Sequence, residues 1–213
     1  MTYLTKPLCL ALILASCGPL NESDLGDRLT QVAQQVTGTA PPPAPPALAP
    51  DVANAGPGDV LLVKILARDA VAPMTKVAEN GGAITWISPG KVTMSFEDGI
   101  LVATRGLEDD LMGVDPIGVR AALNAGGGTA ARRQSFLTSE DQIVTRDLTC
   151  EVTSLGPEEL QTIGGTRRTT KLEEDCKGPA LVFKNTYWMA GGEIIRSRQA
   201  VSAGVGFIQA DQL

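Results

Sequence analysis

The sequence predicts a mostly β protein, an antiparallel β-sandwich or open barrel with one or two short helices, behind a signal peptide and a proline-rich tether. Three observations predict this. From about Asp59 onward, apolar and polar residues alternate with a period of two in short runs. Turn pairs such as Pro89-Gly90 and Asp98-Gly99 separate these runs. An apolar run ending at Cys17, followed by a cluster of prolines, sets residues 1–56 apart.

The N-terminus has the order of a lipoprotein leader. Lys6 is the only charged side chain before Cys17, and the apolar run over residues 7–15 is too short to span a bilayer, which needs about 20 residues. The run ends in Leu14-Ala15-Ser16-Cys17, which resembles a bacterial lipobox, where a peptidase cleaves before the cysteine and the thiol is acylated. We therefore expect residues 1–16 to be a signal peptide and Cys17 to carry fatty chains such as palmitate.

The residue after Cys17 indicates which of the two bacterial membranes holds the protein. In Gram-negative lipoproteins an Asp at that position resembles an inner-membrane retention signal, and this chain has Gly18 there. The sequence thus favours an outer-membrane protein, anchored by its lipid, on the periplasmic face.

Residues 17–56 are predicted to form a tether. An apolar stripe at helical spacing runs through residues 21–36 and predicts a short amphipathic helix. Prolines at high density over residues 39–50 cannot continue a helix or a sheet, so they predict a stiff polyproline II spacer; the alternative is a recognition segment for a partner that binds polyproline II. The β-rich periplasmic domain is then expected over residues 57–213.

Composition excludes several classes of function. The net charge of −6 argues against a nucleic-acid partner, because neutralising phosphates needs a basic face. The chain has no histidine, which removes Ser-His and Cys-His catalysis and imidazole metal ligands. We expect no metal and no cofactor, and an enzyme would have to rely on carboxylates, Lys, Tyr or a hydroxyl.

The cysteines predict one disulfide. Cys9 lies in the leader and Cys17 is the expected anchor, which leaves Cys150 and Cys176 as an even pair. In an oxidising compartment such a pair is bridged by default, although the sequence alone does not establish that the two positions are close.

The first strands are predicted over residues 60–66 and 82–88, followed by a hairpin over residues 91–105. Asp98-Gly99 is typical of a two-residue type I′ turn, which pairs Glu97 with Ile100 and Phe96 with Leu101. One face of the hairpin should then be core, formed by Val92, Met94, Phe96, Leu101 and Ala103.

A short helix is predicted over residues 117–123, ending near the glycines 126–128. Strands follow over residues 142–154 and 166–176, a hairpin over 181–190 and 193–201, and a last strand over 204–210.

The C-terminal hairpin carries the candidate contact residues for a partner or a glycan: Lys184, Tyr187, Trp188, Arg196 and Arg198. A two-residue Gly191-Gly192 turn would pair Trp188 with Ile195 and Tyr187 with Arg196, which places a tyrosine beside a guanidinium. Tyr, Trp and Arg are enriched in interface hot spots. The alternative is that Tyr187 packs inward and Arg196 only covers the sheet edge.

Other residues have a functional and a structural interpretation. Trp86 and Trp188 could stack on sugars or fill the core. The pairs Arg132-Arg133 and Arg167-Arg168 could bind a polyanion, but solvated strand edges often carry such charges. The acidic runs Glu173-Glu174-Asp175 and Asp109-Asp110 do not form a glycosidase pair by themselves, since adjacent strand residues point to opposite faces. Asp109-Asp110 is better explained as the start or cap of a turn.

Three segments together resemble a known family. They are Ile84-Thr85-Trp86-Ile87-Ser88, the hairpin through Asp98-Gly99 into residues 104–111 (TRGLEDDL), and residues 187–199 (YWMAGGEIIRSRQ). With the lipobox, they resemble the YjbF-like lipoproteins of exopolysaccharide and group 4 capsule operons, in order over roughly residues 59–213. One departure is the small segment Ala200-Val201-Ser202-Ala203, where relatives have a bulkier residue.

The resemblance implies a β-rich periplasmic domain on an outer-membrane anchor, with a role in making or exporting surface polysaccharide beside an outer-membrane barrel protein. It implies no catalytic residues. We expect a non-catalytic binding or assembly module that is held to the membrane by its lipid and contacts export proteins or the polysaccharide itself. Two alternatives stay open: a carboxylate-dependent glycan-modifying enzyme, and a purely structural envelope lipoprotein.

Overall fold

The computed structural model describes residues 58–137 and 142–212. The predicted signal peptide, Cys17, the helix predicted over residues 21–36 and the proline-rich tether lie outside the described residues.

The described residues form an antiparallel sheet of twelve strands with one α-helix and one 3-10 turn. The strands are β1 (Val60–Ile65), β2 (Ala70–Asn80), β3 (Ala83–Ile87), β4 (Thr93–Glu97), β5 (Ile100–Arg105), β6 (Leu111–Asp115), β7 (Gly127–Leu137), β8 (Ile143–Thr162), β9 (Gly165–Gly178), β10 (Leu181–Ala190), β11 (Glu193–Ser202) and β12 (Gly206–Gln212). The 3-10 turn spans Leu66–Arg68, and helix α1 spans Ile117–Asn124 between β6 and β7.

The strand order is β5-β4-β3-β2-β1-β12-β11-β10-β9-β8-β7-β6. Neighbours in the sheet are neighbours in the chain, except that β1 pairs with β12 and joins the two halves. The sheet curls into a nearly closed barrel, because its two edge strands, β5 and β6, lie beside each other. The predicted mostly β antiparallel fold is therefore confirmed, in its barrel form.

Side chains close the seam between β5 and β6. The Thr104 hydroxyl donates to Asp110 Oδ1 over 2.7 Å and accepts from the Leu111 amide over 3.0 Å. Arg105 donates from Nη1 to the Leu111 carbonyl at 3.1 Å and from Nη2 to the Met112 carbonyl at 3.3 Å. Asp110 also accepts from the Gly106 amide at 2.8 Å, so it caps the connecting turn as the sequence predicted.

The interior is filled mainly by apolar side chains from alternate strand positions. The largest cluster contains Leu61, Val63, Met74, Trp86, Met94, Phe96, Leu101, Leu107, Leu111, Val201, Val205, Ile208 and Ala210. A second cluster packs helix α1, through Val119 and Leu123, against the sheet. Reducing the water-exposed apolar area in this way supplies the main driving force for the fold.

The predicted hairpin through Asp98-Gly99 is confirmed in its register next to the turn, where Glu97 pairs with Ile100 and Phe96 with Leu101. Further along, a register shift places Ser95 opposite Ala103. Because of this bulge, Thr104 is buried and Ala103 stays part-exposed, so the prediction of Ala103 in the core was wrong.

Cys150 of β8 and Cys176 of β9 are directly opposite each other. Their Sγ atoms are 2.04 Å apart and form a disulfide that links positions 26 residues apart in sequence. Within the described ranges, no helix has the length and apolar content needed to cross a bilayer.

Candidate functional site

The C-terminal hairpin has the predicted two-residue turn at Gly191-Gly192 but a different register. Ala190 pairs with Glu193 and Met189 with Ile194, and the next pair is Trp188 with Arg196. Strand β11 thus has one extra residue, Ile195, in a β-bulge. The predicted pairs Trp188–Ile195 and Tyr187–Arg196 were wrong, because the turn fixes the register only as far as the bulge.

Tyr187 faces the interior, on the same side of β10 as the buried residues Phe183, Asn185 and Met189. Its side chain is 0% exposed, and its hydroxyl donates to Glu174 Oε2 over 2.7 Å. Burial and the nearby Glu174 carboxylate raise the pKa of Tyr187 well above its usual range. The prediction that Tyr187 contacts a partner was wrong, since no partner can reach it in this structure; the inward-packing alternative describes it correctly.

The other four candidate residues lie on the outside of β10 and β11, and Trp188 is the centre of this surface. Its indole Nε1 donates to Glu158 Oε1 at 3.0 Å, and Lys171 Nζ lies 5.2 Å from the centre of its ring. Glu158 and Lys171 form an ion pair at 3.1 Å. The indole hydrogen bond and the Lys171 ammonium lower the pKa of Glu158. We call Lys184, Trp188, Arg196 and Arg198 the outer face.

The cations of the outer face are largely paired. Lys184 lies 2.6 Å from a carboxylate oxygen of Glu173 and 3.6 Å from one of Asp175, and the hydrogen bond with Glu173 raises the pKa of Lys184. Arg196 pairs with Asp211. Arg198 lies over the ring of Phe207 at 5.4 Å and forms no ion pair with any residue of the described ranges. The positive and negative charges of the outer face nearly cancel. Such a face is better suited to bind a polar surface of another protein than to bind a polyanion.

A hairpin tip covers part of this face. Arg196 Nη2 donates to the carbonyl of Gln161, near the end of β8, over 3.2 Å. Together with the Trp188–Glu158 hydrogen bond, this contact holds the far end of the β8–β9 hairpin against β10 and β11. Lys184 and Arg198 are both exposed, but only Lys184 is held in ion pairs with carboxylates of the described residues.

Beneath the sheet lies a buried polar network that the sequence analysis did not predict. Arg132 and Glu174 have fully buried side chains, with Nη1 at 3.2 Å from Oε1 and 3.4 Å from Oε2. Glu174 also accepts from Asn185 Nδ2 and from Tyr187, each at 2.7 Å. The interpretation of Arg132 as a solvated edge residue was wrong, whereas its neighbour Arg133 is exposed and pairs with Asp147.

Burial alone lowers the pKa of Arg132, but the attraction of the Glu174 carboxylate outweighs it and raises that pKa, so the guanidinium stays charged. Its Nε and Nη2 atoms have no partner among the described residues, and neither has Nε2 of the nearby strand residue Gln134. A signal for the buried carboxylate did exist in the sequence, since Glu174 shares its strand parity with Leu172 and Cys176.

Gln199 ties opposite walls of the barrel together. Its Nε2 donates to the Gly99 carbonyl and its Oε1 accepts from the Leu101 amide, each at 2.9 Å. These bonds join β11 to the β4–β5 hairpin across the interior. The network fixes the relative positions of walls that are distant in sequence.

The three buried groups of Cys150, Glu174 and Cys176 lie within 4.8 Å of one another. Because the two sulfurs are joined in the disulfide, they do not form a thiolate set for a metal.

A cavity of about 220 Å³ opens at the end of the barrel where the β2–β3, β4–β5 and β10–β11 turns meet. We call it the mouth cavity. Its lining residues are Leu61, Gly82, Ile84, Trp86, Phe96, Asp98, Gly99, Arg120, Glu193, Ile194, Ser197, Ala210 and Gln212. Trp86 is a core residue, 7% exposed, and it also contributes to the wall of this cavity.

Helix α1 holds the rim of the mouth cavity through Arg120. Its Nη1 donates to the Asp98 carbonyl at 2.8 Å, and its Nη2 donates to the Gly192 carbonyl at 3.1 Å. One guanidinium thus joins the β4–β5 turn to the β10–β11 turn, so the entrance is held by a bidentate contact to backbone rather than left to two independent loops.

Comparisons with known proteins agree with this architecture. The family model described as group 4 capsule polysaccharide lipoprotein gfcB, YjbF, matches residues 27–213 and confirms the resemblance seen in the sequence. The crystal structure of the hypothetical lipoprotein YmcC from Escherichia coli (K12) is similar in fold, with a TM-score of 0.62 and 20% identity, over 72% of this chain and 85% of that chain. No curated protein matches the chain significantly.

Proposed function

Because this chain belongs to the YjbF family of group 4 capsule polysaccharide lipoproteins, we propose that it assists the production or export of an exopolysaccharide or capsule. In this proposal it is anchored by Cys17 in the outer membrane, faces the periplasm, and acts as a binding or assembly module. The observation that carries the proposal is the family match, which spans the whole β-rich domain.

Glu174 is unsuited to be the catalytic carboxylate of the enzyme alternative. A general acid or base must reach the proton that it transfers. Glu174 is 0% exposed and is held by Arg132, Asn185 and Tyr187 in a sealed interior. Its hydrogen bonds therefore serve the barrel wall, not a substrate.

We propose that the outer face contacts a protein of the export machinery, such as an outer-membrane barrel. Trp188 and Arg198 supply an aromatic ring and an exposed guanidinium, which are enriched in interface hot spots. Since the surrounding cations are paired with carboxylates, a protein with its own mixed charges fits this surface better than an acidic polysaccharide.

Complementation of a deletion strain tests the proposal. The wild-type gene should restore polysaccharide output, and Arg198→Glu should lower it, because the reversed charge opposes the contact without disturbing an ion pair. The matched control is Arg146→Glu, an exposed arginine on β8 that, like Arg198, forms no ion pair with any described residue, and it should restore output fully. Equal output from both variants, with equal amounts of protein in the membrane, would contradict the role of the outer face. Normal output from the deletion strain itself would overturn the proposed function.

The enzyme alternative has one structural argument in its favour, the carboxylates of Asp98 and Glu193 at the mouth cavity. A glycosidase of this kind would release new reducing ends from purified polysaccharide. We expect none from the wild-type protein, and their appearance, together with their loss in Asp98→Asn, would establish the enzyme.

A further inference from the structure

We propose that the mouth cavity binds a single neutral sugar residue. This inference rests on the proposed function, because it names the ligand that a polysaccharide-associated module would hold. It concerns a site separate from the outer face: the cavity lies at the end of the barrel and is lined from β1, β3, β4, β11, β12 and helix α1.

The size of the cavity limits the ligand. Sites for drug-sized molecules have volumes of about 300–1,000 Å³. At about 220 Å³, the mouth cavity has room for one ring and not for an oligosaccharide held along its length. Mouths of β-barrels are common positions for such sites, because the wall is rigid and the turns supply polar groups.

The wall of the cavity suits the apolar face of a sugar ring. Trp86 and Phe96 supply two aromatic side chains, and Ile84, two residues before Trp86 on β3, pairs directly with Phe96 on β4. Aromatic rings combine a large apolar area with a negative face, which attracts the slightly positive C–H groups of a pyranose.

The rim supplies the polar part. Asp98 and Glu193 contribute carboxylates, which can only accept hydrogen bonds when ionised, and Gln212 contributes an amide that both donates and accepts. Sugar hydroxyls can satisfy all three groups. These groups are on turns and at a strand end, so they can surround a ring that enters from solvent.

The charge of the rim selects a neutral sugar. Its one cation, Arg120, already donates to the Asp98 and Gly192 carbonyls and lies 3.7 Å from the Asp98 carboxylate. Two carboxylates, those of Asp98 and Glu193, therefore line the entrance, and the single cation beside them, Arg120, is already hydrogen-bonded to backbone carbonyls. An acidic sugar would be repelled there, since like charges at short range cost free energy.

Tryptophan fluorescence tests the inference directly. The chain has two tryptophans, so Trp188→Phe leaves Trp86 in the cavity wall as the only reporter. The lipid-free protein, secreted with residues 1–17 replaced by a cleavable leader that is not a lipoprotein leader, is titrated with glucose, galactose and N-acetylglucosamine, and in parallel with glucuronate and octanoate. We expect a saturable change with a neutral sugar, with a dissociation constant on the order of 1 mM.

Two variants locate the site. Ala210→Phe fills the cavity and should weaken binding at least about tenfold. If this variant does not fold, Glu193→Ala, at an exposed position, should weaken binding several-fold. Glu159→Ala, an exposed carboxylate on β8 away from the cavity, is the matched control and should leave binding unchanged.

The outcomes separate this inference from the proposed function. Saturable binding of a neutral sugar that is lost in Ala210→Phe or Glu193→Ala supports it. No binding of any neutral sugar, tighter binding of glucuronate, or binding of octanoate alone overturns it. None of those three results affects the proposed function, which is judged by polysaccharide output in the complemented strain.

Discussion

Removing the carboxylate of the buried ion pair should destabilise the protein more than removing the guanidinium. In Glu174→Gln, Arg132 keeps its charge in a fully buried position and loses its only ionic partner among the described residues. Breaking a buried pair from one side typically costs about 3–5 kcal/mol. For a domain of this size, that lowers the melting temperature by about 6–20 °C.

Arg132→Met should cost less, about 1–3 kcal/mol. The Glu174 carboxylate would keep the hydrogen bonds from Asn185 and Tyr187, so it would not be left without donors. Methionine also removes the two guanidinium nitrogens that have no partner in the described structure.

Urea unfolding of the lipid-free protein, followed by tryptophan fluorescence, measures both free energies. The double variant Arg132→Met, Glu174→Gln should be more stable than the sum of the single variants predicts, by about 0.5–3 kcal/mol, because the two side chains interact directly. If Glu174→Gln is as stable as Arg132→Met, or the two effects simply add, the reasoning about the unpaired guanidinium is refuted.

Three further predictions concern the rest of the chain. Replacing Cys150 and Cys176 with Ala should lower the free energy of unfolding by about 3.5 kcal/mol on the chain-entropy estimate, and peptide mapping of the non-reduced wild-type should find the two cysteines joined; an unchanged unfolding midpoint would count against it. Tyr187, the only tyrosine after the leader, has a raised folded-state pKa, so its stabilising effect is complete below pH about 10 and is lost as the pH rises further. Its phenolate absorbance should therefore appear only together with alkaline unfolding, and phenolate formation at pH about 10 in the folded protein would disprove this. Cys17→Ala should accumulate as an uncleaved precursor without lipid label, and equal labelling would refute the anchor.

The sequence predicted those strands whose pattern is simple. Apolar alternation and a turn pair located β4, β5, β10 and β11, because one face of each is buried. Strand β2 was missed since Met74 is its only fully buried residue, so it has no alternation to detect. Strand β7 was missed because it begins in the glycines that were assigned to the end of the helix.

The candidate site was predicted less well than the fold. The outer positions of Lys184, Trp188, Arg196 and Arg198 agree with the predicted strands, but a bulge in β11 that no local pattern marks replaces Arg196 by Ser197 as the partner of Tyr187. The buried side of Tyr187 follows the regular alternation of β10. Arg132 looked like a surface residue because its partner, Glu174, is distant in sequence. The mouth cavity depends on six elements that meet only when β1 pairs with β12.

The side-chain seam between β5 and β6 also bears on how many copies of this protein can share a membrane. Edge strands expose unpaired backbone groups that can recruit an edge from another molecule. An anchor confines every copy to a plane and brings such edges together at high local concentration. By occupying the carbonyls of Leu111 and Met112, Arg105 makes this edge a poor template for a neighbouring chain. Its replacement with alanine would be expected to show first as intermolecular sheet growth on a crowded lipid surface, before any loss of fold in dilute solution.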